Sequence, residues 1–183
     1  MDFSFRPLAI PDVVLVRPDR HEDARGSFTE TFRRSAFAEA GVDVEFVQDN
    51  MTRSGRGVLR GLHYQRPPAP QGKLVGVIRG AIYDVAVDLR ASSATYGRWV
   101  ARELDAAAGE MLWIPPGFAH GYCIVSDGAD VSYKVTAEYR AELSCGIAWD
   151  DPALAIPWPV DVPILSQADR AQPALADVES PFP

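Results

Sequence analysis

The sequence predicts an all-β fold, an antiparallel sandwich or barrel. Three observations carry this reading: ten short segments rich in β-branched and aromatic residues, turn residues separating them at roughly even spacing, and no helices alternating with them. The first strand is predicted over Val13–Arg17, an apolar run set between Pro11 and Pro18. Gly26–Phe32 and Val44–Gln48 follow, and between them Ser35–Ala40 reads as the one helix, stopped by Gly41. Gly57–Gln65 and Lys73–Arg79 come next, and Gly80 reads as a tight hairpin turn into Ala81–Asp88. In that segment Ile82, Val85 and Val87 are interrupted by Asp84 and Asp88, so the period is not cleanly two. It reads as a strand buried in part on both faces, whose acids need partners. Arg98–Leu104 and Glu110–Ile114 precede the turn Pro115-Pro116-Gly117, and Gly121–Val125 and Val131–Thr136 complete the set. From Asp151 onward the chain holds seven of its fifteen prolines, a density that forbids a long helix and predicts an extended wrap over the body.

Length and composition fit one globular domain over residues 1–183. At 183 residues and 47% hydrophobic content, a folded chain buries roughly 70% of the surface its unfolded form exposes, and needs no staples. No apolar run approaches the ~20 residues of a membrane span, and the N-terminal stretch, broken by Pro7 and Pro11, does not read as a secretory signal. Cys123 and Cys145 make neither a disulfide framework nor a CxxC pair, so a reducing cytoplasm is expected. The net charge is −7, yet Asn50 to Tyr83 contains no acid and six bases: Arg53, Arg56, Arg60, Arg66, Lys73 and Arg79. A nucleic-acid surface would need a broader basic stripe on a basic domain. A compact basic pocket for one small anion such as a phosphate suits an acidic protein better.

The chemistry is carried by histidines. His21 sits in a charged loop and reads as solvent-exposed, whereas His63 lies mid-strand in VLRGLHYQ and His120 follows the turn PPGFAHG. Gly61-Leu62-His63-Tyr64-Gln65 with Lys73 and Gly80 resembles the first motif of the cupin family; Gly109 with Pro115-x-Gly117-x-x-His120 resembles the second. The resemblance implies a cupin-type double-stranded β-helix, a jelly-roll barrel with a few short helices and its site inside. Gln65 and Lys73 stand where metal-binding cupins carry a histidine and a glutamate. An ammonium has no lone pair and repels a divalent cation, so no metal is expected. His63, Lys73, His120, Arg60 and Tyr133 remain: a base near pKa ~6.5, fixed positive charges and a phenol. That set suits proton abstraction beside a carbonyl, with a cation stabilising the enolate and a second donor returning the proton.

Further segments extend the likeness. FVQDN (Phe46–Asn50), VLRGLHYQ (Val58–Gln65), QGKLV (Gln71–Val75), DVAVDLR (Asp84–Arg90), LWIPPGFAHG (Leu112–Gly121), Tyr133-Lys134 and GIAWDDPALAIPWP (Gly146–Pro159) resemble the dTDP-4-dehydrorhamnose 3,5-epimerase family. The resemblance implies inversion at C3 and C5 of dTDP-4-dehydro-6-deoxy-D-glucose, both alpha to its C4 ketone, without metal or organic cofactor. It implies a general base at His63, an orienting acid at Asp169, a proton donor at Tyr133 and an enolate-stabilising cation at Lys73. Arg60 and His120 would bind sugar and diphosphate. Arg25, Phe28, Glu30, Gln48, Asp49 and Asn50 would form the nucleotide-binding set, and Tyr139 would stack on the thymine. It also implies a homodimer in which the N-terminal strand crosses to the partner, so that Arg25 would serve the neighbouring site. Ser144 and Ala168 depart from the family's usual glutamate and lysine and would lie at the ligand's rim. A C3-only epimerase and a non-catalytic sugar-nucleotide-binding cupin are the alternatives.

Overall fold

The computed structural model describes residues 2–183. Six strands form one sheet in the order β1 (Phe3–Pro7), β2 (Val14–Pro18), β10 (Met111–Ile114), β7 (Lys73–Arg79), β12 (Gly128–Val135) and β5 (Gln48–Gly55). Five form the other, in the order β13 (Ser144–Gly146), β6 (Leu59–Gln65), β11 (Phe118–Ile124), β8 (Ala81–Asp88) and β9 (Trp99–Asp105). A separate hairpin pairs β3 (Arg20–Asp23) with β4 (Gly26–Thr29). All named strand pairs are antiparallel, and the two sheets face each other as a cupin-like jelly roll.

Each sheet is covered on both faces over part of its area. Between them Val75, Ile82, Leu104, Leu112, Phe118, Ile124 and Val131 make the central core. Helix α1 (Arg34–Glu39) inserts Phe37 against Val16, Leu74, Met111 and Trp113 on the outside of the six-stranded sheet. Phe3, Phe5 and Phe32 pack edge-on or tilted around it, with Phe37 centroids 4.9–5.4 Å away. The proline-rich tail covers the five-stranded sheet with Leu154, Ile156, Trp158, Leu175 and Phe182. It is tied down by the bridges Val58↔Ile164 and Arg90↔Phe182 and by Asp151, which accepts from the Leu175 amide at 2.6 Å. The broken alternation of β8 has this cause, and both of its acids are partnered: Asp88 by Arg90, Ser93 and Thr95, Asp84 by His120.

Three sequence expectations are corrected. Arg79-Gly80-Ala81 is no hairpin: β7 and β8 belong to different sheets, and Gly80 at φ +80° turns the chain from one to the other. Residues 42–47 form no ladder; Val44 and Phe46 pack beside Phe37, and the strand predicted there starts only at Gln48. The strand predicted from Gly121 begins at Phe118, which puts His120 inside β11 rather than in a turn. The charged β3 and the three-residue β13 carry no apolar alternation and went unpredicted, as did β1, whose Phe3 and Phe5 alternate over only three residues.

Candidate active site

A cavity of about 610 Å³ opens between the sheets. The six-stranded sheet contributes Gln48, Asn50 and Thr52 from β5, Lys73 from β7 and Tyr133 from β12. The facing sheet contributes Arg60, His63 and Gln65 from β6, His120 and Tyr122 from β11, and Ser144 and Cys145 from β13. Along β5 the inward residues are polar and alternate with exposed Asp49, Met51 and Arg53, so the strand is amphipathic without an apolar stripe.

Backbone geometry explains how Arg60 and His63, three apart on one strand, share a cavity. His120 lies opposite His63, but Tyr122 lies opposite Arg60, so β6 spends one more residue than β11 between these pairs. This bulge reverses the facing of the strand. It requires glycine on both strands: a Cβ on Gly61 would sit 2.5 Å from the Gly121 Cα, and one on Gly121 2.8 Å from the Arg60 carbonyl oxygen.

His63 joins Asp169, 106 residues away, through Nε2 and Oδ1 at 2.5 Å. Asp169 lies on helix α2 (Gln167–Arg170), where Ser166 caps the first turn by accepting from the Asp169 amide and donates its hydroxyl to Oδ2 at 2.6 Å. Burial raises the Asp169 pKa, but the bonds from His63 and Ser166 outweigh it, and the carboxyl is held below the usual range. An ionised acceptor fixes the proton of a neutral His63 on Nε2 and leaves the Nδ1 lone pair available.

His120 is buried and bonded through Nε2 to Asp84 Oδ2 at 2.9 Å. Burial lowers its pKa, against the opposing pull of Asp84, so it stands neutral beside two other basic groups, Lys73 and His63. Lys73 is buried too, with Nζ 3.4 Å from the His63 carbonyl oxygen; burial lowers its pKa to about 8, and Asp84 partly offsets the shift. On the floor Tyr122 hydroxyl and Thr52 Oγ1 are bonded across the two sheets at 2.7 Å.

The structure thus brings His63, Asp169, Lys73, Tyr133, Arg60, His120, Gln48, Asn50 and Tyr139 around one cavity, with Ser144 and Ala168 at the same wall. Four expected binding residues lie outside it within a single chain. Arg25 and Phe28 stand exposed on the β3–β4 hairpin, with Arg25 paired to Asp23 at 2.6 Å. Glu30 pairs with Arg33, and Asp49 points to the opposite face of its sheet, where it accepts from Lys134 at 2.8 Å. Ser166, Gln71, Tyr122 and Thr52 were not anticipated. Among the described residues, no group of three or more His, Cys, Asp or Glu side chains is arranged to hold a metal ion.

A cupin-like jelly roll with a polar small-molecule cavity between its sheets is the class that this fold and site define. Within it, residues 7–177 match the family model described as dTDP-4-dehydrorhamnose 3,5-epimerase. The chain belongs to the dTDP-4-dehydrorhamnose 3,5-epimerase family. Among its relatives, the enzyme of that name from Pseudomonas aeruginosa is 51% identical over 94% of this chain and 96% of its own. That of Sinorhizobium fredii is 47% identical over 99% of this chain and 94% of its own. The crystal structure of dTDP-6-deoxy-D-glucose-3,5-epimerase from Legionella pneumophila, in complex with dTDP-4-keto-L-rhamnose, superposes with a TM-score of 0.95. That chain is 41% identical, with coverage of 99% of this chain and 97% of its own.

Proposed function

We propose that the chain inverts C3 and C5 of dTDP-4-dehydro-6-deoxy-D-glucose to give dTDP-4-dehydro-L-rhamnose, by proton transfer through an enolate. The observation that carries this reading is the placement of base and phenol on opposite walls: His63 on β6 of one sheet, Tyr133 on β12 of the other. Facing sheets stand about 10 Å apart, room for one six-membered ring lying between them. His63 Nδ1 takes the proton alpha to the ketone, and the electron pair moves to the C4 oxygen as the enolate forms. The Lys73 ammonium stabilises that charge in a dry setting where a fixed cation counts for most. The Tyr133 hydroxyl then protonates the carbon from the opposite face, and solvent restores both groups. Arg60, reaching into the cavity with its guanidinium held by Ser54, supplies charge for the diphosphate.

Deuterium uptake from D2O into the keto sugar, followed by NMR, tests the reading. Label at C3 and C5 with inverted products is the expected result. Label at C3 alone identifies a C3-only epimerase, and no label in either position overturns the catalytic reading.

The Lys73 assignment has a pH signature. The ammonium is the active form, so the alkaline limb of the rate profile should fall as pH rises through about 8, where Lys73 deprotonates. Lys73→Met should lower the rate at pH 7 and abolish that limb; a limb that persists in the variant rules the assignment out.

We also infer a homodimer. The β3–β4 hairpin directs Arg25 and Phe28 away from their own cavity, and Met51 and Ile78 add exposed apolar surface on the six-stranded sheet. Arg25, Phe28 and Glu30 then serve the partner's nucleotide site. Sedimentation as a single 20.0 kDa species would remove this assignment.

A further inference from the structure

Residues 137–140 leave β12 and make no ladder, so the backbone groups of that segment need other partners. Three glutamine side chains supply them. Gln71 Nε2 donates to the Ala137 carbonyl at 2.8 Å. Gln65 Nε2 donates to the Glu138 carbonyl at 3.0 Å and to the Ala69 carbonyl at 2.6 Å, while its Oε1 accepts from the Arg140 amide at 2.8 Å. Gln48 Oε1 accepts from the Tyr139 amide at 2.9 Å, and its Nε2 donates to Asn50 Oδ1 at 2.8 Å. Four consecutive residues are therefore pinned by amides from three separate places in the sequence. The one side chain this segment holds out at the cavity edge is that of Tyr139, a residue 60% exposed.

We propose that Gln48, Gln65 and Gln71 are positioning residues: they hold residues 137–140 so that Tyr139 stands as a preformed platform for the flat base of the nucleotide. The inference rests on the functional reading above, since it takes the nucleoside diphosphate as the ligand. A fixed aromatic face loses little conformational entropy when a ring stacks on it, so the clamp acts on affinity at the base end and not on proton transfer.

The test is titration calorimetry with dTDP, and with pyrophosphate as a probe that lacks the base. Gln65→Met removes three hydrogen bonds while keeping the side chain's length. It should raise the dTDP Kd and the substrate KM by on the order of tenfold, leave pyrophosphate affinity unchanged, and change kcat by less than about twofold. Tyr139→Ala should weaken dTDP similarly, and the double variant should be no weaker than either single. Gln71→Leu, which removes only the Ala137 bond, should raise the dTDP Kd by about threefold and answers the question if Gln65→Met fails to fold. Unchanged dTDP affinity in the glutamine variants, equal losses for dTDP and pyrophosphate, or multiplicative losses in the double variant would each overturn the clamp. Wild-type protein that does not bind dTDP would instead remove the functional reading itself.

Discussion

His63→Ala should reduce turnover of the dTDP-4-keto sugar by on the order of 10³–10⁴-fold and stop deuterium exchange at both carbons. The fold should survive, because His63 faces the cavity with its side chain 41% exposed and contributes little apolar burial. Circular dichroism and a thermal midpoint close to wild type check that part, and NMR of the sugar in D2O checks the rest. Asp169→Asn provides the companion measurement. An amide in place of the carboxylate turns a pure acceptor into a group that also donates, which disfavours the tautomer with its lone pair on Nδ1. In hydrolase triads the equivalent change costs about 10⁴-fold with geometry intact. The two effects should not multiply: the double variant should be no slower than His63→Ala alone, because Asp169 acts only through the imidazole. Exchange that continues in His63→Ala would assign the base elsewhere in the cavity, and wild-type rates in Asp169→Asn would reduce the 2.5 Å contact to a structural one.

The strands and the site were legible in the sequence to different depths, for a physical reason. β7 and β8 emerge with the predicted bounds because each carries a near-continuous run of buried apolar residues, and β7 gives the cavity only its first residue, Lys73. β5 was misplaced because its inner face lines the cavity: Gln48, Asn50 and Thr52 give no apolar alternation, and the eye settles on Val44 and Phe46 just before it. A strand that builds a polar site conceals itself from hydrophobic periodicity. His63, Lys73 and His120 could be brought together by motif spacing alone. Their partners could not. Asp169 lies 106 residues from His63 with no local signal for the pairing, and the four-residue helix that Ser166 caps is too short to leave a periodic pattern. Asp84 was recognisable as an acid needing a partner, but only the β8–β11 register shows that His120 is the one. Gln65 could be seen as an occupant of a would-be ligand position, not as the anchor of a segment 75 residues further on.

Tyr133→Phe should separate exchange from inversion. The hydroxyl is the only atom removed, so packing of the ring against the core is retained. Burial raises the Tyr133 pKa, and the charge of Arg60 opposes that shift; the phenol stays protonated at neutral pH and is a donor, not a base. His63 still removes the proton in the variant, and Lys73 still holds the enolate. With the phenol gone and the Lys73 ammonium engaged at the enolate oxygen, the carbon is reprotonated from the wall it left. Deuterium should therefore enter C3 and C5 at a rate within about tenfold of wild type, while inverted product falls by on the order of 10²–10³-fold. The ratio of label gained to configuration changed is the quantity to measure, by NMR in D2O over a single time course. Parallel loss of label and inversion would place Tyr133 in substrate binding instead of proton return. Undiminished inversion would require a donor from another residue of the same wall, and the opposed-wall mechanism would have to be rebuilt around it.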